Sequence, residues 1–141
     1  TNEPPSSPAP RMLRFPPGFR CLHVDDDHFM QMTFPLSTFA KVGAPYEQAS
    51  NGEEALRMVS EREPALIVMD NQMPVMTGTQ ATRELRARGY KGPIIGITGD
   101  PVGSADRAEF EAAGLDACVD KTSDGIDFVV RALAKHAENS Q

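Results

Sequence analysis

Ala65-Leu66-Ile67-Val68-Met69-Asp70 is a run of five apolar residues ending on an acid, and its reading decides the fold. An alternating run would mark a strand with one wet face, whereas a short continuous apolar run marks a strand covered on both faces. Ile94-Ile95-Gly96-Ile97 repeats the pattern. Three further short apolar runs, at residues 19–24, 46–49 and 115–119, join 65–69 and 94–98 as strand candidates. Helical spacing fills the gaps: Phe29, Met32, Leu36 and Phe39 recur at three- and four-residue steps, as do Ile126, Val129, Val130, Leu133 and Ala137. Ser50-Asn51-Gly52-Glu53 offers a capping box ahead of Ala55, Leu56 and Val59, and residues 79–88 and 104–113 complete five helices. Pro35 should kink the first of them, because proline removes a backbone hydrogen bond.

Strand and helix alternate five times, which predicts an α/β fold with helices on both faces of an open parallel sheet. The flavodoxin-like (βα)5 arrangement, a doubly wound five-stranded sheet of order 2-1-3-4-5, is the expected form. The domain is placed at 19–138. Residues 1–18 hold six of the twelve prolines and read as a tail or linker, and 139–141 as a short tail.

Composition narrows the function. At 141 residues, 40% apolar and 24% charged, the chain has the size and balance of one globular domain. A net charge of -6 without a Lys/Arg block argues against nucleic acid, and no apolar stretch suits a bilayer span. Cys21 and Cys118 are too few for a disulfide framework and read as thiols of a reducing, cytoplasmic compartment. The order 2-1-3-4-5 puts two strands between them, too far for a bridge. The start at Thr1 suggests a domain excised from a longer cytoplasmic protein.

In such a sheet, chemistry gathers at the carboxyl ends of the strands, beside the switch point between strands 1 and 3. Asp25, Asp26 and Asp27 follow strand 1, Asp70 follows strand 3, Thr98 ends strand 4, and Lys121 follows strand 5. Packed carboxylates repel by about 4 kcal/mol per pair at 4 Å and an effective dielectric near 20. A hard divalent cation, Mg²⁺ or Mn²⁺, relieves this. Lys121 adds a point charge and Thr98 a hydroxyl, so the set suits a transferring phosphoryl group. Asp27 doubles as an N-cap residue. A metal role for His23 or His28 is the weaker alternative, since imidazole prefers transition metals.

The phrases Leu22-His23-Val24-Asp25-Asp26-Asp27, Met69-Asp70-Asn71-Gln72-Met73-Pro74-Val75-Met76-Thr77-Gly78, Ile94-Ile95-Gly96-Ile97-Thr98 and Asp120-Lys121 together resemble CheY-like response-regulator receiver domains. The second phrase is most similar to receivers of hybrid histidine kinases. The resemblance implies that Asp70 accepts a phosphoryl group from a phosphohistidine on a histidine kinase or histidine phosphotransfer protein. It implies Mg²⁺ ligation by Asp26, Asp70 and the Asn71 carbonyl, with Asp25 acting through water. Thr98 and Lys121 would contact the phosphoryl group, and a downstream protein would read the surface of the fourth helix and fifth strand. Beyond its own phosphorylation and dephosphorylation the domain would not be an enzyme.

Three positions depart from the family pattern: Cys118 where an aromatic is usual, Thr122 where proline follows the lysine, and Gly99 where alanine is common. Cys118 predicts a weaker phosphorylation-induced change around the fourth helix, with signalling resting on the loop 99–103. Two rival functions remain at this level. One is a docking module that no longer cycles phosphate. The other is a haloacid-dehalogenase-like phosphatase suggested by Asp25-x-Asp27, which lacks the expected residues after Asp27 and the length for a cap domain.

Overall fold

The computed structural model describes residues 12–138; positions 1–11 and 139–141 of the expected tails lie outside it. Five strands, β1 Cys21–Val24, β2 Tyr46–Ala49, β3 Leu66–Met69, β4 Ile94–Thr98 and β5 Ala117–Asp120, form one parallel sheet in the order β2-β1-β3-β4-β5. The apolar runs do serve two layers. Leu22, Val24, Ile67, Met69 and Ile94 pack under α3 Gly52–Glu61, α4 Gly78–Ala87 and α5 Ala105–Glu111. Cys21, Leu66, Val68, Ile95 and Ile97 pack on the other face, against α1 His28–Ser37, α2 Phe39–Val42 and α6 Ser123–His136. Period-two alternation along an unbroken apolar strand sends successive side chains into opposite cores. Both cysteines are free, on β1 and β5, with β3 and β4 between them. Among the described residues no helix is long and apolar enough to cross a membrane.

Beyond shifts of one or two residues at strand ends, sequence and structure part at three places in this frame. The first helix is broken rather than merely kinked: Thr38, at φ −130 and ψ −92, separates α1 from α2. Pro35 has no N–H for the Gln31 carbonyl, which accepts from Gln48 Nε2 on β2 instead, at 2.9 Å. The apolar spacing of α1 marks a helix but not its inner face. Phe29, Met32 and Leu36 are 68%, 61% and 67% exposed, while Phe34 and Pro35 are buried. A helix apolar on both sides carries no signal in its period for which side turns inward. Finally, within residues 12–18, read from their prolines as part of a tail, Leu13 and Phe15 pack against the core while their neighbours stay exposed. Leu13 N donates to Val42 O at 2.8 Å, Glu138 N donates to Arg14 O at 2.7 Å, and Phe15 stacks on Phe19 at 4.7 Å. Leu13 and Phe15 have apolar surface to bury, and burial outweighs the extended bias of their neighbours.

Candidate functional site

Each strand on one side of the switch point ends at the same rim. Asp25 and Asp26 leave β1, Asp70 leaves β3, Thr98 closes β4, and Lys121 follows β5. The parallel register sets these ends side by side: Val24 pairs with Met69, Met69 with Gly96, and Thr98 with Asp120.

Carboxylate oxygens of Asp25, Asp26 and Asp70 all lie within 4.8 Å of one another. Asp25 and Asp70 are buried and Asp26 is exposed. Lys121 Nζ sits between the buried pair, 2.9 Å from Asp70 Oδ1 and 3.2 Å from Asp25 Oδ2. Burial, then the Asp25 charge, push the Asp70 carboxyl up to about 6 against the pull of Lys121. Burial also works against the Lys121 charge, but the two carboxylates outweigh it and hold the ammonium above its usual range. One lysine therefore leaves the three acids under-neutralised.

Neighbouring groups fix these side chains. Asp25 Oδ1 accepts from Asp27 N at 2.9 Å, and Asp27 caps α1 by accepting from Phe29 N at 3.1 Å. Asn71 Oδ1 accepts from Thr79 N at 3.0 Å and Thr79 Oγ1 at 2.8 Å, and the Asn71 carbonyl accepts from Gly78 N at 2.8 Å. These bonds pin the loop after β3 to the start of α4. The loop carries Val75 at φ 71, a left-handed conformation that a β-branched residue adopts only under strain. Thr98 is buried, and its Oγ1 accepts from Asp100 N at 3.0 Å.

Contacts thus join four of the six candidates, Asp25, Asp26, Asp70 and Lys121; Thr98 ends the neighbouring strand, and Asn71 turns its side chain to Thr79 and its carbonyl to Gly78 N. The histidines do not join this cluster as ligands. Among the described residues, the grouping able to hold a metal is the acidic triad alone. His23 stacks on Phe34 at 4.6 Å, bonds Gln48 Oε1 through Nδ1 at 2.7 Å, and is kept neutral chiefly by burial. No cis peptide occurs among the described residues, in keeping with Thr122 in place of proline. Sequence reading missed Asp100, whose Oδ2 accepts from Asn71 Nδ2 at 3.4 Å and Gln72 Nε2 at 3.2 Å. It also missed Arg107. Both look like ordinary surface residues until the fold brings their partners near.

The donor set fits a hard divalent cation such as Mg²⁺: three clustered carboxylates, with net negative charge left over beside one lysine. Asp25, Asp26 and Asp70 would hold it.

Comparison with known proteins agrees. The sequence matches the response regulator receiver domain family over residues 21–133. It is 37% identical over 134 residues to the histidine kinase CKI1 of Arabidopsis thaliana, covering 82% of this chain and 12% of that protein. It is 37% identical over 119 residues to the autoinducer 2 sensor kinase/phosphatase LuxQ of Vibrio vulnificus, covering 83% and 13%. The chain thus spans about an eighth of the length of these relatives. A crystal structure of a point mutant of the CKI1 receiver domain superposes with TM-score 0.69 at 33% identity, covering 87% of this chain and 92% of that one. The receiver domain of the sensor histidine kinase PA1611 from Pseudomonas aeruginosa gives 0.74 at 27%, covering 84% and 97%. That structure has magnesium coordinated in its active site cleft.

Proposed function

The chain belongs to the response regulator receiver family, and from that membership we propose that it is a phosphorelay acceptor whose Asp70 takes a phosphoryl group from a phosphohistidine. The observation that carries this reading is Asp70 itself. It is a buried carboxylate, bonded to Lys121, and one of three acids whose charges outnumber the one cation between them. Mg²⁺, when bound, would neutralise the acids and the phosphoryl oxygens. Asp70, largely ionised at pH 7 with its carboxyl near 6, attacks phosphorus; the P–N bond breaks and the imidazole leaves with the electron pair. Lys121 is released from sole service to the carboxylates and faces the oxygens of the acyl phosphate. Thr98 turns its hydroxyl to one of those oxygens. With the acids and Lys121 already gathered, catalysis on this reading is positioning and charge neutralisation.

The domain's chemistry is confined to its own aspartate, so its output passes through protein contact. A cytoplasmic setting suits a phosphohistidine donor and the free thiols. The exposed row Phe29, Met32 and Leu36 begins immediately after the acids, and an apolar row beside a reactive rim is a natural landing face for a donor protein. Phosphohistidine-bearing transfer proteins, purified and assayed as a panel, test both points. Transfer should reach Asp70 from at least one of them. Phe29→Asp should slow that transfer about tenfold, as loss of an interface anchor does, while uptake from acetyl phosphate stays at the wild-type rate. Equal slowing with both donors would move the landing face elsewhere, and no transfer from any donor would refute the acceptor role.

A further inference from the structure

Arg107 on α5 is 5% exposed, which is rare for an arginine and calls for partners on every side. It has them. Nη1 donates to the Asp120 carboxylate and, at 3.3 Å, to Asp100 O; Nη2 donates to Cys118 O at 3.2 Å; Nε donates to Glu111 Oε2 at 3.1 Å. One guanidinium therefore ties the loop after β4, the strand β5 and its own helix together.

Both ends of this tie lead to the phosphoacceptor rim. Asp100 N is the donor to Thr98 Oγ1, and the Asp100 carboxylate holds Asn71 and Gln72. Asp120 immediately precedes Lys121, which is bonded to Asp70. On the far side, Arg107, Cys118, Asp120, Asp124, Phe128 and Arg131 line a cavity of about 320 Å³. The side chain at 118 is small, so space remains beside the guanidinium, with a second carboxylate, Asp124, across it.

We propose that Arg107 is the switch of this domain, a buried latch that holds the loop 99–103 to β5 in the resting state and lets go of Asp100 when Asp70 is phosphorylated. The inference rests on the phosphoacceptor reading of Asp70. A hydroxyl drawn from Asp100 N to a phosphoryl oxygen shifts the carbonyl on which Arg107 is seated. The planar fork of arginine cannot follow one acceptor without misaligning the others, so the contact has two arrangements rather than a continuum. On release, the guanidinium swings into the cavity over Cys118 and changes the face that α5 and β5 present. The weaker response expected from the missing aromatic is thereby replaced by a response of different chemistry: a cation changes partners where an aromatic ring would change burial.

Beryllofluoride with Mg²⁺ tests this in the intact chain, using fluorine NMR for binding at Asp70 and amide exchange over residues 99–112 for the response. In wild type, beryllofluoride should change exchange in that segment by about five- to tenfold, the lower end of the range for a coupled switch. In Arg107→Ala the segment should exchange fast before the addition and change less than twofold after it, with the bound fluorine signal retained. Asp120→Asn, which removes one exposed partner and leaves the buried arginine, should give an intermediate response and serves if Arg107→Ala does not fold. An undiminished response in Arg107→Ala, or in Asp120→Asn where that variant serves, overturns the latch. Absence of the fluorine signal from wild type instead overturns the phosphoacceptor reading beneath it.

Discussion

Lys121→Ala should slow phosphoryl uptake by about 10²–10³-fold, the loss typical of removing one preorganised charge-stabilising donor. The same change should lower the stability of the metal-free protein by about 3 kcal/mol, because it leaves buried carboxylates facing one another without their cation. The geometry requires both effects, since Nζ lies 2.9 Å from Asp70 and 3.2 Å from Asp25. Asp70, already raised to about 6, would rise further without the lysine. A larger share of it would then be protonated at pH 7 and unable to attack, so part of the lost rate should return as the pH is raised. Mg²⁺ should recover more stability in the variant than in wild type, because the ion then supplies the only cation in the cluster. Thermal melts with and without Mg²⁺, alongside acetyl phosphate kinetics at several pH values, measure all three. A variant as stable and as fast as wild type would show that Lys121 is a bystander.

The second large effect is steric. Gly78 opens α4, and its N–H donates to the Asn71 carbonyl. A Cβ there would collide with the Asp70 carbonyl oxygen and stand 2.9 Å from Asn71 Cα. Those are backbone atoms that cannot swing aside, so the helix start and the end of β3 must separate. Gly78→Ala should cost about 3 kcal/mol, at the upper end for overpacking, and should slow phosphoryl uptake by displacing Asp70. Gly99→Ala is the matching control. A Cβ at Gly99 has nothing within 4 Å, so its effect should stay within about 0.5 kcal/mol. Urea unfolding of the pair decides the matter, and equal stabilities would contradict the close approach.

These two variants also show why some of the site was legible in the sequence and some was not. Lys121, Asp70, Asp25 and Thr98 are legible because a parallel sheet must present its strand ends together, and the apolar runs mark where strands end. β3 and β4 were legible for the same reason, their continuous apolar runs reflecting helices on both faces. For β5 the sequence pattern, 115–119, starts two residues early and ends one residue early. Leu115 packs against the core without joining the ladder, and the strand runs to the exposed Asp120. The inner face of α1 was not legible, because Phe29, Met32 and Leu36 make as good a stripe as the residues that are buried. Gly78 and Arg107 were invisible for a deeper reason. Their roles depend on close approaches that only the folded chain makes, and no pattern of residues at these positions encodes those.

The central claim is that Asp70 accepts a phosphoryl group in a reaction that needs a divalent cation. Its most direct test is borohydride trapping after incubation with acetyl phosphate and Mg²⁺, followed by mass spectrometry of the intact chain and its peptides. One phosphoryl group per chain, trapped at Asp70, absent in EDTA and absent in Asp70→Asn, is the result expected of a phosphoacceptor. Trapping at another residue, or equal labelling in EDTA, would contradict it.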